Sequence, residues 1–302
     1  MEPSNEAFRR PMRTIFAILA TVSLSVGCVQ TPGVTKTPPA AHTAPTAHES
    51  VKTPPSAFDL SSYTRAQPAC LLVTNAAGEP IVRTDPQRCA ERFLPCSTFK
   101  IPNSIIGLET GVLQDANTVI PWDQDKYPKQ AWWPESWTDH EHDLRSAFHH
   151  SFVPFYRALA TRVGSESMQK YVRQFEYGNQ SIGGNLDSFW LDGDIAISAD
   201  EQVKFLRAFY DEKLGVSPRT TEIVKDILIH QRSRGYVLSA KTGTGDSPDG
   251  TAIGWIVGYV QHDADVHFYA FNVSGNTYDD IDRTWRFEVL EKMLSALEIW
   301  VR

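Results

Sequence analysis

The sequence predicts an α/β chain of the α+β kind: one antiparallel sheet built from both ends of the folded part, with a helical lobe inserted between them. Three observations lead there. Runs rich in β-branched and aromatic residues, with polar turns between them, occur at 69–85 and again at 236–273. The text between them carries helical apolar periods with start and stop signals, and one more helix closes the chain. Short connections make successive strands antiparallel neighbours.

The first 57 residues stand outside that fold. Arg9, Arg10 and Arg13 precede the apolar run "TIFAILATVSLSVG" (14–27), too short for a resident spanning helix and laid out as an export signal. It ends at Cys28 after "LSVG", which resembles the lipobox of bacterial lipoproteins, although Ser25 stands where leucine is usual. A lipid anchor at Cys28 and simple cleavage both stay open. "TPGVTKTPPAAHTAPTAHESVKTPP" (31–55) has no apolar period and reads as an extended tether. The expected organisation is therefore a signal over 1–28, a linker over 29–57 and a folded domain over 58–302, exported to the periplasm. Export places the thiols in an oxidising compartment. Cys70, Cys89 and Cys96 then allow one disulfide in any of three pairings.

The elements of the folded part follow in order. "ACLLVTNAAGEPIVRTD" (69–85) is two apolar runs around a turn, a hairpin. Ile101, Ile105 and Leu108 share one helix face, and Gly111 suits its stop. "VPFYRALATRVG" (153–164) ends on glycine, and "SESMQKYVRQFEYG" (165–178) puts Met168, Tyr171, Val172 and Phe175 on one side. "SADEQVKFLRAFY" (198–210) opens with a capping box of Ser198 and Glu201. "SPRTTEIVKDILI" (217–229) has serine at the cap and Pro218 in the first helical position. "YVLSAKTG" (236–243), "TAIGWIVGYV" (251–260) and "DVHFYAFNV" (265–273) are strands. A last helix, over roughly 281–299, turns Trp285, Val289, Met293 and Leu294 towards them.

Composition is that of an ordinary globular chain, 41% hydrophobic and 22% charged. A formal charge of −7, with no Lys/Arg run interleaved with aromatics, argues against a nucleic-acid surface. "TDHEHDLRSAFHHS" (138–151) holds four histidines without the His-Glu-x-x-His spacing of a zinc helix, so a polar loop is expected there and no metal. Four of the eight tryptophans fall between Trp122 and Trp137, where they either edge a pocket or pack an insert.

The chemistry gathers elsewhere. "STFK" (97–100) puts Ser97 and Lys100 on one helix face, so the amine reaches the hydroxyl. A helix start also aims backbone N–H groups at a developing oxyanion. "KTG" (241–243) ends a strand, leaving Lys241 at an edge where a substrate lies. Ser-x-x-Lys followed by Lys-Thr-Gly is the order of penicillin-recognising serine enzymes.

With "SFV" (151–153), "YGN" (177–179) and "FWLDG" (189–193) between them, these motifs resemble the class D β-lactamases, the oxacillinases, in order and spacing. The resemblance runs from about Ala69 to the terminal helix. It implies the serine β-lactamase and penicillin-binding-protein fold, and hydrolysis of β-lactam small molecules through an acyl-serine. On that resemblance Ser97 is the nucleophile, and Lys100 is the lysine carbamylated by CO₂ or bicarbonate, with no other cofactor. Only a neutral amine takes up CO₂, which calls for burial. Phe99, Val153, Trp190 and Leu191 are the expected walls, with the Trp190 indole donating to the carbamate. Val153 replaces the polar residue of the Ser-x-Asn motif typical of penicillin-binding proteins. Ser151 relays a proton to the departing nitrogen beside Lys241. Thr242, Gly243 and Thr244 line the substrate strand, and the N–H groups of Ser97 and Thr244 form the oxyanion hole. A fixed cation for the substrate carboxylate is either Arg286 or Arg283. Arg286 is preferred because Val289, Met293 and Leu294 follow it at the family spacing. Ser151 as a plain helix cap and "YGN" as a plain turn remain alternatives. A β-lactam sensor that keeps its acyl group, or a transpeptidase, is the competing function. Such sensors normally follow several spanning helices, and Val153 disfavours a transpeptidase.

Overall fold

The computed structural model describes residues 58–247 and 249–302. The signal, the Cys28 box and the tether lie outside the described residues. No helix among the described residues is long and apolar enough to cross a membrane.

After a short α1 (Ser61–Thr64), β1 (Ala69–Thr74) and β2 (Pro80–Arg83) form the expected hairpin. The lobe follows: α2 (Pro86–Ala90), α3 (Lys100–Glu109), α4 (Leu144–His149), α5 (Val153–Val163), α6 (Ser165–Gln174), α7 (Phe189–Asp192), α8 (Ala199–Tyr210) and α9 (Pro218–Leu228). The chain then returns through β3 (Ile229–Ser233), β4 (Tyr236–Asp246), β5 (Ala252–His262) and β6 (Asp265–Gly275), and α10 (Arg283–Ala296) closes it. Strand order is β2-β1-β6-β5-β4-β3, with every pairing antiparallel. The register of Ala69 opposite Val273 joins the two chain ends in one sheet, as predicted.

Period-2 alternation sends the strand residues to two different cores. Cys70, Leu72, Trp255, Val257 and Phe268 face the lobe. Leu71, Val73, Ile256, Val260 and Phe271 face Val289, Leu290, Met293 and Leu294 of α10. Cover on both faces explains why antiparallel strands read as unbroken apolar text.

Three expectations are corrected and one strand, β3, went unread. "KTG" (241–243) does not end its strand, because β4 continues to Asp246 in register with β5. Residues 138–151 are not wholly loop, because α4 occupies Leu144–His149, with the Asp143 carboxylate accepting from the Ser146 N–H and with Leu144, Ala147 and Phe148 buried. One short turn between polar neighbours is too brief for a visible period. β3 is an edge strand of half-exposed polar residues without apolar alternation, so it carried no strand signal. α6 stops at Gln174, short of Gly178. The capping box of α8 and the Ser217–Pro218 start of α9 are present. Of the three cysteine pairings the structure holds Cys70–Cys89, which ties β1 to α2, and leaves Cys96 free and buried.

Candidate active site

Ser97 enters on a 3₁₀ turn, Cys96–Phe99, that runs straight into α3. Immediately before it Cys96 adopts a left-handed backbone (φ +50°), a strained conformation for a side chain of this kind. Burial pushes the Cys96 thiol up to about 12, so it is no rival nucleophile. One helical turn on, Lys100 Nζ donates to Ser97 Oγ at 2.7 Å. Lys100 is wholly buried. Phe99 stacks on Trp190 at 5.7 Å and meets Phe189 edge-on, and the Tyr156 ring lies 5.2 Å from the amine. Desolvation in this apolar chamber brings the Lys100 pKa down to about 7. The Trp190 indole Nε1 is buried and has no partner among the described residues. Val153 and Leu191 line the cavity next to Ser97.

Ser151 sits between α4 and α5 and also has a left-handed backbone (φ +57°). It does not cap α5, whose N-cap is Phe152. Its hydroxyl instead accepts from Lys241 Nζ at 3.0 Å, and the same amine donates to the Thr242 carbonyl at 3.0 Å. Desolvation lowers the affinity of Lys241 for its proton, and the charges of Lys100, Arg283 and Arg286 lower it further.

β4 brings the last wall. It runs so close to the Ser97 turn that a Cβ on Gly243 would stand 2.8 Å from the Pro95 carbonyl oxygen, which explains the glycine of "KTG". Arg286 reaches from α10 to the far side of that strand. Its Nη1 donates to the Gly243 carbonyl at 2.6 Å and its Nη2 to Thr244 Oγ1 at 2.7 Å. Opposite Thr244, a Cβ on Gly254 would strike the guanidinium at 2.4 Å. Arg286 is only 1% exposed, whereas Arg283 lines the open cavity with Ser97, Thr242 and Thr244. That cavity measures about 540 Å³.

The fold and the serine–lysine geometry can be set beside known proteins. The penicillin-binding protein transpeptidase domain model matches residues 70–292. The chain is 42% identical over 195 residues to β-lactamase OXA-48 of Klebsiella pneumoniae, covering 65% of this chain and 71% of that one. It is 37% identical over 204 residues to β-lactamase OXA-10 of Pseudomonas aeruginosa, covering 67% and 74%. The chain belongs to the class D β-lactamases. A solved class D β-lactamase, YbXI from Nostoc, matches it with a TM-score of 0.73 at 34% identity, over 80% of this chain and 99% of that one. Hydrolysis of β-lactams is the activity that goes with this family.

Within this class D β-lactamase the "YGN" turn is a latch. Asn179 Nδ2 donates to the Asp194 carbonyl at 2.7 Å, and its Oδ1 accepts from the Ala196 N–H at 3.1 Å. Asn179 is not among the cavity-lining residues. The rings of His140 and His142 meet at a tilt and both meet His150 edge-on, and no three His, Cys, Asp or Glu groups gather as a metal site among the described residues. Sequence reasoning missed two things. One is the pair of left-handed residues beside the serines, which leave no signal in composition. The other is the shape of the wall made by 126–137, whose tryptophans were visible but whose placement was not.

Proposed function

We propose that the enzyme opens the β-lactam ring through an ester on Ser97, with a carbamate on Lys100 as general base. The observation that carries this reading is a wholly buried amine, drawn to about 7, whose one hydrogen-bond acceptor among the described residues is Ser97 Oγ. The surroundings fit the group: walls of Phe99, Val153, Trp190 and Leu191 favour a neutral amine, and the unpartnered Trp190 N–H is a donor waiting for an acceptor. When bound, a carbamate supplies an anionic oxygen, a stronger base than the hydroxyl could otherwise meet.

Ser97 Oγ loses its proton and attacks the lactam carbonyl, and the ring C–N bond opens as the ester forms. The backbone N–H groups of Ser97 and Thr244 take the developing oxyanion. Ser151, held by Lys241 Nζ, passes a proton to the departing ring nitrogen. Water then cleaves the ester and frees Ser97. Thr242, Gly243 and Thr244 form the strand along which the drug lies. Lys241 and Arg286 supply positive potential to its carboxylate, Arg286 from behind Thr244. Export by residues 1–28 belongs to the same reading, with a lipid anchor at Cys28 and simple cleavage both open. Labelling with a radioactive fatty acid tests the anchor, and an unlabelled wild type removes it.

A chromogenic cephalosporin assay on the purified chain tests the reaction. Sustained turnover, with a transient Ser97 adduct seen by mass spectrometry, is expected. A single stoichiometric burst followed by silence would make the protein an acyl-retaining sensor or transpeptidase instead.

A further inference from the structure

The segment 185–192 supplies the roof of the Lys100 chamber. Phe189 and Trp190 are held there by their rings, which pack on Phe99. Leu191 has no such hold: it is partly exposed and lines the cavity next to Ser97. Its place depends on where α7 sits, and a helix of four residues cannot fix its own position. Two ties from outside do so. On the C-terminal side, the Asn179 latch holds Asp194 and Ala196. On the N-terminal side the tie is Asp187, the only side chain of 185–192 that hydrogen-bonds beyond the segment among the described residues.

The Asp187 carboxylate accepts from Tyr127 Oη at 3.0 Å and from Arg157 Nη2 at 3.3 Å. Arg157 also lies over the Tyr127 ring at 4.8 Å. Tyr127 is buried, and the Trp122 indole donates to its carbonyl at 2.8 Å. Partial burial works against an anion at Asp187. The hydrogen bonds from Arg157 and Tyr127 outweigh it and hold the carboxyl below the usual carboxylate range. Three distant stretches, the 122–137 loop, α5 and the residue before the Ser188 cap of α7, thus meet at one charged group.

We propose that Asp187, gripped by Tyr127 and Arg157, is a positioning residue that keeps Leu191 closed over Lys100 and so sets how tightly the amine retains CO₂. Retention rests on Lys100 being the carbamylated residue. Carbamate formation joins the neutral amine nitrogen to CO₂ and releases one proton. Water admitted past Leu191 stabilises the ammonium instead, which draws that equilibrium back towards free CO₂. Asp187 does not line the cavity, so its effect falls on the requirement for CO₂ and not on the bound substrate.

The test measures the bicarbonate concentration that gives half-maximal hydrolysis, together with amide hydrogen exchange at Phe189–Asp192. Wild type, Asp187→Ala, Tyr127→Phe and the double variant are compared. Asp187→Ala is expected to need about tenfold more bicarbonate and Tyr127→Phe about threefold, with activity at saturating bicarbonate within about twofold of wild type. The double variant should match Asp187→Ala alone, because both changes break one contact. Exchange at Phe189–Asp192 should quicken about three- to tenfold in the same order. An unchanged bicarbonate requirement, or a loss that saturating bicarbonate does not restore, overturns the role of Asp187. Additive effects in the double variant overturn the shared contact. A wild type whose activity ignores bicarbonate removes the carbamate on Lys100 alone. Amide exchange then decides the roof, and unchanged exchange in Asp187→Ala and Tyr127→Phe overturns it.

Discussion

Lys100 and Lys241 stand on two sides of one cavity, each donating to a serine, and their surroundings differ. Lys100 has aromatic walls and, among the described residues, a single acceptor, Ser97 Oγ. Lys241 has two, Ser151 Oγ and the Thr242 carbonyl. Burial weakens the hold of both on a proton. For Lys241, however, the next cause after desolvation is the charge of Lys100 itself. A neutral Lys100 removes that repulsion, and an anionic group there turns it into attraction. The lesson is that burial sets one direction for both lysines, while their neighbours set them apart.

The largest break in this comparison comes from removing each amine. Lys100→Ala should lower turnover by about 10³-fold or more, within the range for a general base, and the acyl-enzyme should accumulate on mass spectrometry. Lys241→Ala should cost about 10²-fold, shared between kcat and KM, without a trapped acyl group. Identical behaviour of the two variants would erase the distinction. Trp190→Phe keeps the aromatic wall but removes the unpartnered N–H. Activity at low CO₂ should fall about 10- to 100-fold and recover with added bicarbonate.

The pH profile comes next. The amine of Lys100 is neutral above about 7 and protonated below it. At limiting bicarbonate, activity should therefore fall about tenfold per pH unit on the acid side of that point. Added bicarbonate should carry the limb to lower pH, and a limb that ignores bicarbonate removes the link. The smallest expected effect separates the arginines. Arg286→Ala should raise KM about tenfold for substrates bearing the ring carboxylate, with little change for their esters. The same result from Arg283→Ala alone would move the anchor to the cavity-lining residue.

Much of this site was legible because its signals are local. Ser97 and Lys100 are one turn apart, Lys241–Gly243 lies on a strand, and the apolar residues at fixed offsets from Arg286 put it on the buried face of α10. The hairpin, the Ser198 capping box and the Gly164 stop were readable for the same reason. What was hidden depends on contacts across the chain. The Cys70–Cys89 pairing needs the β1–α2 geometry. The left-handed turns at Cys96 and Ser151 are imposed by packing on residues whose types do not ask for them. The wall made by 126–137 depends on where a loop folds against α5, which no period along the chain reports.

The central claim is that the Lys100 chamber, and not the equally buried Lys241 site, keeps an amine free to bind CO₂. Carbon-13 NMR of the enzyme in labelled bicarbonate tests it directly, with Lys100→Ala and Lys241→Ala measured alongside. One carbamate signal in wild type and in Lys241→Ala, absent from Lys100→Ala, is the predicted result. Full activity with no carbamate signal, or a signal that follows Lys241, would contradict the account.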